Sequence, residues 1–545
     1  MSRPFLVIYL ALLAFGLSAQ AHIGSPNVFV EGKAGEYSVH VVIRPPPVVP
    51  GLAEVIVRVP EEPVQRVTVL PVFWNAGRNG APPPDEAKLV RGETNLYSAA
   101  LWLMRLGAYS VDITIEGAHG KGTLVVPVNS MATNTRPMSR GYAGMLWALG
   151  IVLLVGALKI AGLLFGESRL EPGTVPTRKD RWRGRAGTAL AAVVLSVLMY
   201  GGKKWWDYED AAYRNNALYK AMPASAQVRT ERDQHLLTLT VNTSERRGQW
   251  TPLIPDHGKI MHLFLVHDTQ PKAFAHLHPV ARSRSEFEVP LPPLPAGLYQ
   301  VYADVTHENG FSETLTASAE IPSASPAMKR LWLGNSAEPI CSAAIAQMLA
   351  TNLFFPPDLD DSWQMDGAAS SALPPEERGV RAEGSATMPL VADASGGYKM
   401  LWENPSLLTE NREVSLRFKL IMPDNQPALI EPYMGMLGHA VVRREDGAVF
   451  AHVHPLGTFS MAAQDFFVNG RPSKRTPSAG QRGPEPRPEP SPELHTSHTN
   501  GAGIAEEISF PYAFPKPGSY RIWVQTKTQG RILTGVFDTF VAAGK

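Results

Sequence analysis

Apolar residues in this chain recur mostly in short runs that alternate with polar ones. YSVHVVIRP (37–45), AEVIVRVP (53–60), RVTVLPVF (66–73), AYSVDITIEG (108–117) and GTLVVPV (122–128) have this period-2 or continuous apolar pattern, and turn residues separate them. Such runs predict strands, and their spacing predicts a small β-sandwich over 22–130. Three apolar runs are longer. FLVIYLALLAFGL (5–17) follows Arg3 and precedes Ala19-Gln20-Ala21, the pattern of a signal peptide over 1–21 with His22 as the first mature residue. The run 142–166 is long enough to cross a bilayer, and its one charge, Lys159, lies near the end where it can snorkel. The run 186–202 is followed by Lys203, Lys204, Trp205 and Trp206, which suit a membrane interface. Between the two lies 167–185, with Arg169, Arg178, Lys179, Arg181, Arg183 and Arg185. The excess of positive charge places that loop in the cytoplasm and both flanking regions outside.

Beyond the hairpin the chain repeats itself. HLLTLTVN (235–242), GKIMHLFLVHD (258–268), FAHLHP (274–279) and GLYQVYADVTHENGFSETLTASAEI (297–321) are followed in the same order by EVSLRFKLI (413–421), YMGMLGHAVVRREDG (433–447), FAHVHP (450–455) and GSYRIWVQTKTQGRILTGVFDTFV (518–541). Self-similarity at long period predicts two copies of one sandwich, over 225–322 and 388–542. The fold class expected is therefore mainly β: three Ig-like or cupredoxin-like sandwiches, the last two an internal repeat, plus a two-helix transmembrane hairpin. Residues 323–387 read as a connector containing a short helix at 341–354. The Pro-rich segment 468–504, centred on RGPEPRPEPSPE, reads as a disordered insertion.

The repeated Phe-Ala-His-x-His-Pro carries the chemistry. In the second copy Asp446-Gly447 favours a two-residue type I′ hairpin turn. That register sets His439 opposite His454 and Val441 opposite His452, so His439, His452 and His454 share one face. In the first copy an equivalent register groups His262, His276 and His278, while His267 faces the other way. Imidazoles this close reach one metal ion with bonds of roughly 2 Å. Met434, Met436 and Met461 lie near the second set. Mixed histidine and thioether donors suit copper, and zinc remains possible on histidine alone. One ion per sandwich is expected, with affinity falling as pH drops through roughly 6.5, the ordinary histidine pKa. If His22 is the mature N-terminus, its amine and ring could also chelate copper, with His40 or His119 completing a brace. The competing structural reading is that these imidazoles are simply packed and hydrogen-bonded beside Phe264, Phe274 and Phe450.

Composition narrows the function. Lys+Arg 51 against Asp+Glu 50 leaves no charge excess for nucleic acid. The single cysteine, Cys341, excludes an intramolecular disulfide, a blue-copper centre in either hairpin and any multi-thiolate site. No nucleophile–base set, phosphate loop or catalytic carboxylate pair is evident, so ordinary hydrolase or transferase chemistry has no support.

The segments MHLFLV (261–266), FAHLHP, MLGHAVV (436–442), FAHVHP and PGSYRIWVQ (517–525) resemble bacterial cell-envelope proteins with YtkA-like or FixH-like β-sandwich domains. The N-terminal region is more loosely similar to the same Ig-like, CopC-like class. The resemblance implies copper handling at the inner membrane with both β-regions in the periplasm: storage, delivery, resistance or copper-oxidase assembly, with a copper transporter or assembly factor as partner. Two C-terminal units and a helical hairpin depart from the FixH-like pattern. The alternatives are a copper-dependent oxidase, using the His22 brace or the paired sites, and an envelope interaction or sensor protein without metal.

Overall fold

The computed structural model describes residues 26–60, 63–171, 173–244, 250–269, 273–333, 354–365, 390–403, 407–470 and 505–544. The signal-peptide segment, His22, Cys341 and nearly all of the Pro-rich insertion lie outside them. The chain is mainly β, with three two-sheet sandwiches and a helical hairpin. It forms two compact units: one holds the sandwiches, and the other holds Met131–Lys220 with Pro47–Val49.

In the second unit, α1 (Arg140–Glu167) and α2 (Arg178–Asn216) are both long and apolar enough to cross a membrane. Their close approach depends on glycine. A Cβ at Gly184 would lie 2.9 Å from the Gly162 carbonyl oxygen, and one at Gly187 would lie 2.5 Å from Phe165 Cβ. The basic segment 167–185 is not one loop. The turn is only Ser168–Thr177, and Arg178, Lys179, Arg181, Arg183 and Arg185 ride the first turns of α2, which Thr177 and Asp180 cap reciprocally. Helix α2 also outruns its apolar stretch. Past Gly202 its residues mix charge with aromatics, and Lys203–Asp207 and Asp210–Arg214 pairs one turn apart support it.

The N-terminal sandwich has a five-stranded sheet on Val28–Ala34, Tyr37–Arg44, Gly51–Arg58, Leu96–Leu103 and Lys88–Leu89. It faces a four-stranded sheet on Asp85–Glu86, Arg66–Phe73, Gly107–Gly117 and Gly120–Ser130. Inward residues such as Val41, Val55, Leu101, Val111 and Val126 make its core. The strands at Val28 and Leu96 escape the sequence pattern because Glu31 and Lys33, and Ser98, interrupt their apolar runs.

In each repeat both sheets face the sandwich core, and one of them also carries the histidines of the motif. In repeat 1 the histidine-bearing sheet contains β1 (His262–His267), β2 (Phe274–Leu277), β3 (Gly297–His307), β4 (Ser312–Ile321) and β5 (Ser362–Gln364). In repeat 2 it contains β6 (Gly438–Arg444), β7 (Phe450–Val453), β8 (Gly518–Thr528) and β9 (Arg531–Ala542). The connector is therefore not merely a tether: β5 extends the repeat 1 sheet beside β2, and Trp363 enters that core. It also holds the short helix α3 (Pro326–Leu333), whose Trp332 packs at 5.4 Å on Trp363.

The two histidine-bearing sheets pack on each other. Leu263, Leu265, Ala275 and Leu277 point into the repeat 1 core. Their neighbours Phe264, Val266 and Phe274, with Tyr302, point out and meet Val441, Phe450, Trp523 and Val536 of repeat 2. The contacts cross: Phe274 stacks on Trp523 at 4.9 Å, and Phe450 stacks on Tyr302 at 4.0 Å. The segment after the second motif, ending in α4 (Met461–Asn469), reaches the N-terminal sandwich, where Phe459 and Met461 join its core and Gln464 donates to the Val125 carbonyl. Truncating Trp523 to alanine removes a wholly buried ring at the contact between repeats, and should cost about 3–5 kcal/mol. Denaturant unfolding of wild type and variant measures it; an unchanged midpoint would mean that the repeats do not share this contact.

Candidate functional site

The sequence places the histidines in register, and the structure has that register. In repeat 1, β1 pairs with β2 so that Leu263 opposes Leu277 and Phe264 opposes His276. In repeat 2, β6 pairs with β7 so that Ala440 opposes Val453 and Val441 opposes His452. His278 and His454 follow one residue beyond the respective ladders. The turn differs from the expected type. Gly447 N–H donates to the Arg444 carbonyl and Arg444 N–H to that of Val449, which makes a four-residue loop. Only Gly447 of the Asp-Gly pair is left-handed, at φ 72°. Asp446 instead accepts from Ala448 N–H. The loop is two residues longer than a type I′ turn, an even number, so the facing pairs are unchanged.

The two triads are not separate. Because the sheets pack face to face, both open into one buried cluster. His262 lies 5.3 Å from His452 and 6.3 Å from His439 between ring centres, and His276 lies 5.7 Å from His452. His257 joins them, 4.9 Å from His454, 5.5 Å from His439 and 6.1 Å from His262. Within each triad the ligand nitrogens lie within 4.8 Å of one another. His267 faces away, as its odd spacing requires, and its ring meets Tyr299 and the Ala296 carbonyl.

The hydrogen-bond partners fix which ring nitrogens carry protons. A carbonyl or carboxylate oxygen only accepts, so the ring nitrogen facing it must donate. His278 Nδ1 faces Asp361 Oδ1 at 2.9 Å, His454 Nδ1 faces the Phe459 carbonyl at 3.2 Å, and His262 Nε2 faces the Asp256 carbonyl at 3.2 Å. His276 Nδ1 faces Gln525 Oε1 at 2.9 Å, and His452 Nδ1 pairs with Asp304 Oδ2 at 3.3 Å. In each neutral ring the other nitrogen keeps a lone pair. His262 Nδ1 and His276 Nε2 then face each other at 3.1 Å with no proton between them. His278 Nε2 and His454 Nε2 are buried with no hydrogen-bond partner among the described residues. These are donor atoms for a cation, with their rings held from behind.

Burial keeps five of these imidazoles neutral. It holds those of His262, His276, His439 and His452 well below the usual histidine range, and neighbouring histidines push the same way. His454 is lowered by burial, with Asp256 opposing. Burial pushes the Asp304 carboxyl up to about 7, although Thr314 donates a hydrogen bond to it. Asp361 is raised by burial, with His278 opposing.

The remaining candidates fare differently. Met461 packs on the N-terminal core. Met434 and Met436 belong to the tight turn at Tyr433, where Met434 takes φ 51°, and it is the Tyr433 ring that edges His439 at 5.2 Å. His40 is exposed and pairs with Glu31 at 3.5 Å, and the His119 ring lies against Tyr37; His22 is outside the described residues. Sequence reading missed His257, Asp304, Asp361 and Gln525. Asp304 and Gln525 were accessible in principle, because they occupy the same place in the two repeats, opposite His262 and His439. Asp361 sits in the connector, which has no second copy to align.

The family described as a domain of unknown function, DUF8832, matches residues 219–322 and 392–543, which are the two repeats. No curated protein matches the chain. Among solved structures it is similar to the fibronectin(III)-like modules of Clostridium thermocellum CbhA, at 9% identity over 52% of this chain and 95% of that one, with a TM-score of 0.19. It is also similar to a Corynebacterium diphtheriae protein whose name describes it as membrane anchored, at 10% identity over 95% and 96% of the two chains, with a TM-score of 0.14. At such scores neither likeness bears on function.

Metal-free protein should lose stability on acidification. Unfolded imidazoles titrate near 6.5, whereas the five lowered ones resist protonation in the fold. Below about pH 6.5 the unfolded chain therefore binds more protons, and each such histidine costs up to about 1.4 kcal/mol per pH unit. Asp304 and Asp361 act the other way: their raised pKa values let the folded state bind extra protons, for Asp304 up to about pH 7. Five imidazoles outweigh two carboxyls, so the denaturant midpoint should be lower at pH 5.5 than at 7.5. Equal midpoints would contradict the buried neutral cluster.

Proposed function

We propose that this chain is a membrane-anchored metal-binding protein of the bacterial cell envelope, with its sandwiches in the periplasm and copper in the histidine cluster. The observation that carries this reading is the set of triad nitrogens, His278 Nε2, His439 Nε2 and His454 Nε2, buried without a hydrogen-bond partner among the described residues, while the opposite nitrogens of His278 and His454 donate to Asp361 and the Phe459 carbonyl and His276 Nδ1 donates to Gln525. Leaving such acceptors buried without donors costs roughly 1–3 kcal/mol each, and a bound cation removes that cost. An all-imidazole set suits copper, zinc, nickel or iron, and among divalent ions copper binds nitrogen sites most tightly. Because burial keeps His262, His276, His439, His452 and His454 neutral, affinity should persist as pH falls through 6.5 and fail only in stronger acid.

Helix α1 supports the anchor. It has no buried residue and exposes Trp147, Leu153, Ile160 and Leu164, among others, on all sides. A helix apolar all round belongs in lipid rather than water. The cations on the first turns of α2 favour the cytoplasmic side for that end, which leaves both flanking β-regions outside. The six triad histidines are deeply buried: His278 is 5% exposed, the His452 side chain 4%, and the others less than 5%. That seclusion suits holding and handing over an ion, to a transporter or an oxidase-assembly factor, better than turnover of a substrate.

The full chain, purified in detergent and loaded with copper, should retain the metal after desalting. The variant His276→Ala/His278→Ala/His452→Ala/His454→Ala should retain none. Equal copper in both would sink the reading. Reporter fusions at residues 130 and 545 should be active outside the cytoplasm and a fusion at 176 inside; a cytoplasmic signal at 545 would overturn the topology.

A further inference from the structure

The metal-binding reading, on which this inference rests, leaves open how many ions the cluster takes and whether they act separately. We infer that the two triads and His257 form one binuclear transition-metal centre shared by the repeats, in which each repeat positions the middle histidine of the other. Three observations converge on it.

The first is distance. A metal–nitrogen bond is about 2 Å, and rings of opposite triads approach to 5.3 Å between centres. An ion lies about 3 Å from the centre of a ring that holds it, so ions in the two triads lie at most roughly 11 Å apart. The second is His257. It comes from the loop before β1, takes φ 50° there, and sets its ring against members of both triads. A ring so placed serves either ion, and the corresponding position in repeat 2 is Met434, which has the same left-handed backbone, at φ 51°, but no imidazole.

The third observation is the crossed support. Asp304 stands on β3 opposite His262 in repeat 1, yet its carboxylate holds His452 of repeat 2 at 3.3 Å. Gln525 stands on β8 opposite His439 in repeat 2, yet its amide holds His276 of repeat 1 at 2.9 Å. Gln525 is itself tied to Ser362 of β5. The middle ligand of each triad is thus oriented from the other repeat. A partner that orients a metal-bound imidazole commonly contributes 10- to 100-fold in affinity. Asp304 is accordingly a positioning residue for a site to which its own repeat contributes no triad ligand.

Two measurements on the full chain in detergent test this. The chain is first titrated with Cu(II) and examined by electron paramagnetic resonance. Two ions should bind, with a spin count well below two and a half-field signal from the interacting pair. Two ions with two full, isolated spins, or one ion per chain, would overturn the shared centre while leaving metal binding intact. No bound copper would defeat the metal-binding reading itself. The second measurement starts from the variant His276→Ala/His278→Ala, which keeps only the repeat 2 triad. Adding Asp304→Asn should weaken its copper affinity 10- to 100-fold, with circular dichroism and the unfolding midpoint reporting that the fold persists. If Asp304→Asn leaves affinity unchanged in that background, the crossed positioning is wrong. Adding Gln525→Ala to the reciprocal variant, His452→Ala/His454→Ala, should weaken the repeat 1 site in the same way, and an unchanged affinity there counts equally against it.

Discussion

The structure depends on one constraint: two sheets, each already packed on its own sandwich core, also bury their outer faces against each other. An antiparallel sheet in a sandwich ordinarily leaves that outer face to water, and its strands then alternate apolar with polar. Here every residue of β1 and β2 is buried, and so is nearly every residue of β6. Alternation survives in a different form. One set of side chains belongs to a repeat, and the other belongs to the contact between repeats. Everything placed on that second set, apolar or polar, loses its water.

That loss divides the contact into two parts with opposite energetics. Phe264, Phe274, Tyr302, Phe450 and Trp523 bury large rings and stack across the contact, which favours association. Two residues further along the same faces stand the histidines, for which burial is a cost unless each nitrogen finds a partner. The outer nitrogens find carbonyls, carboxylates and an amide. Several inner ones do not. The aromatic half thus stabilises a geometry that the imidazole half alone would not hold. A cation that binds the folded cluster and not the unfolded chain would add stability by mass action.

Much of this was legible because period and parity are strong constraints. Side chains alternate along a strand, so His276 and His278 had to share a face, and a hairpin loop with an even number of residues preserves which partners oppose. The expected turn at Asp446-Gly447 was wrong in type and right in parity, so the facing pairs came out correctly. The repeat pattern likewise placed all six triad histidines at equivalent positions. What sequence did not carry was the second burial. A strand apolar on both faces reads the same whether a helix, a lipid or another sheet covers it, and nothing in FAHLHP says that its partner is FAHVHP. Asp361 was hidden for a different reason: it reaches His278 from the connector, across a stretch with no period to follow. The extent of α2 was hidden because its last turns are held by local charge pairs rather than by an apolar face.

Duplication also explains why the two halves are alike in ligands and unlike in support. The hairpin supplies the same three histidines twice, because the sandwich frame dictates their spacing. The groups behind them come from places where the repeats diverge. His278 leans on the Asp361 carboxylate, whereas His454 leans on the Phe459 carbonyl. His452 leans on the Asp304 carboxylate, whereas His276 leans on the neutral amide of Gln525. Each triad therefore has one carboxylate behind it, but on a different ring: the last histidine in repeat 1 and the middle one in repeat 2. A carboxylate behind an imidazole raises its basicity and draws positive charge toward it. Two ions held between these faces would meet similar ligand sets with differently distributed charge, and that inequality arises from the connector and from the third strand of repeat 1 rather than from the duplicated motif itself.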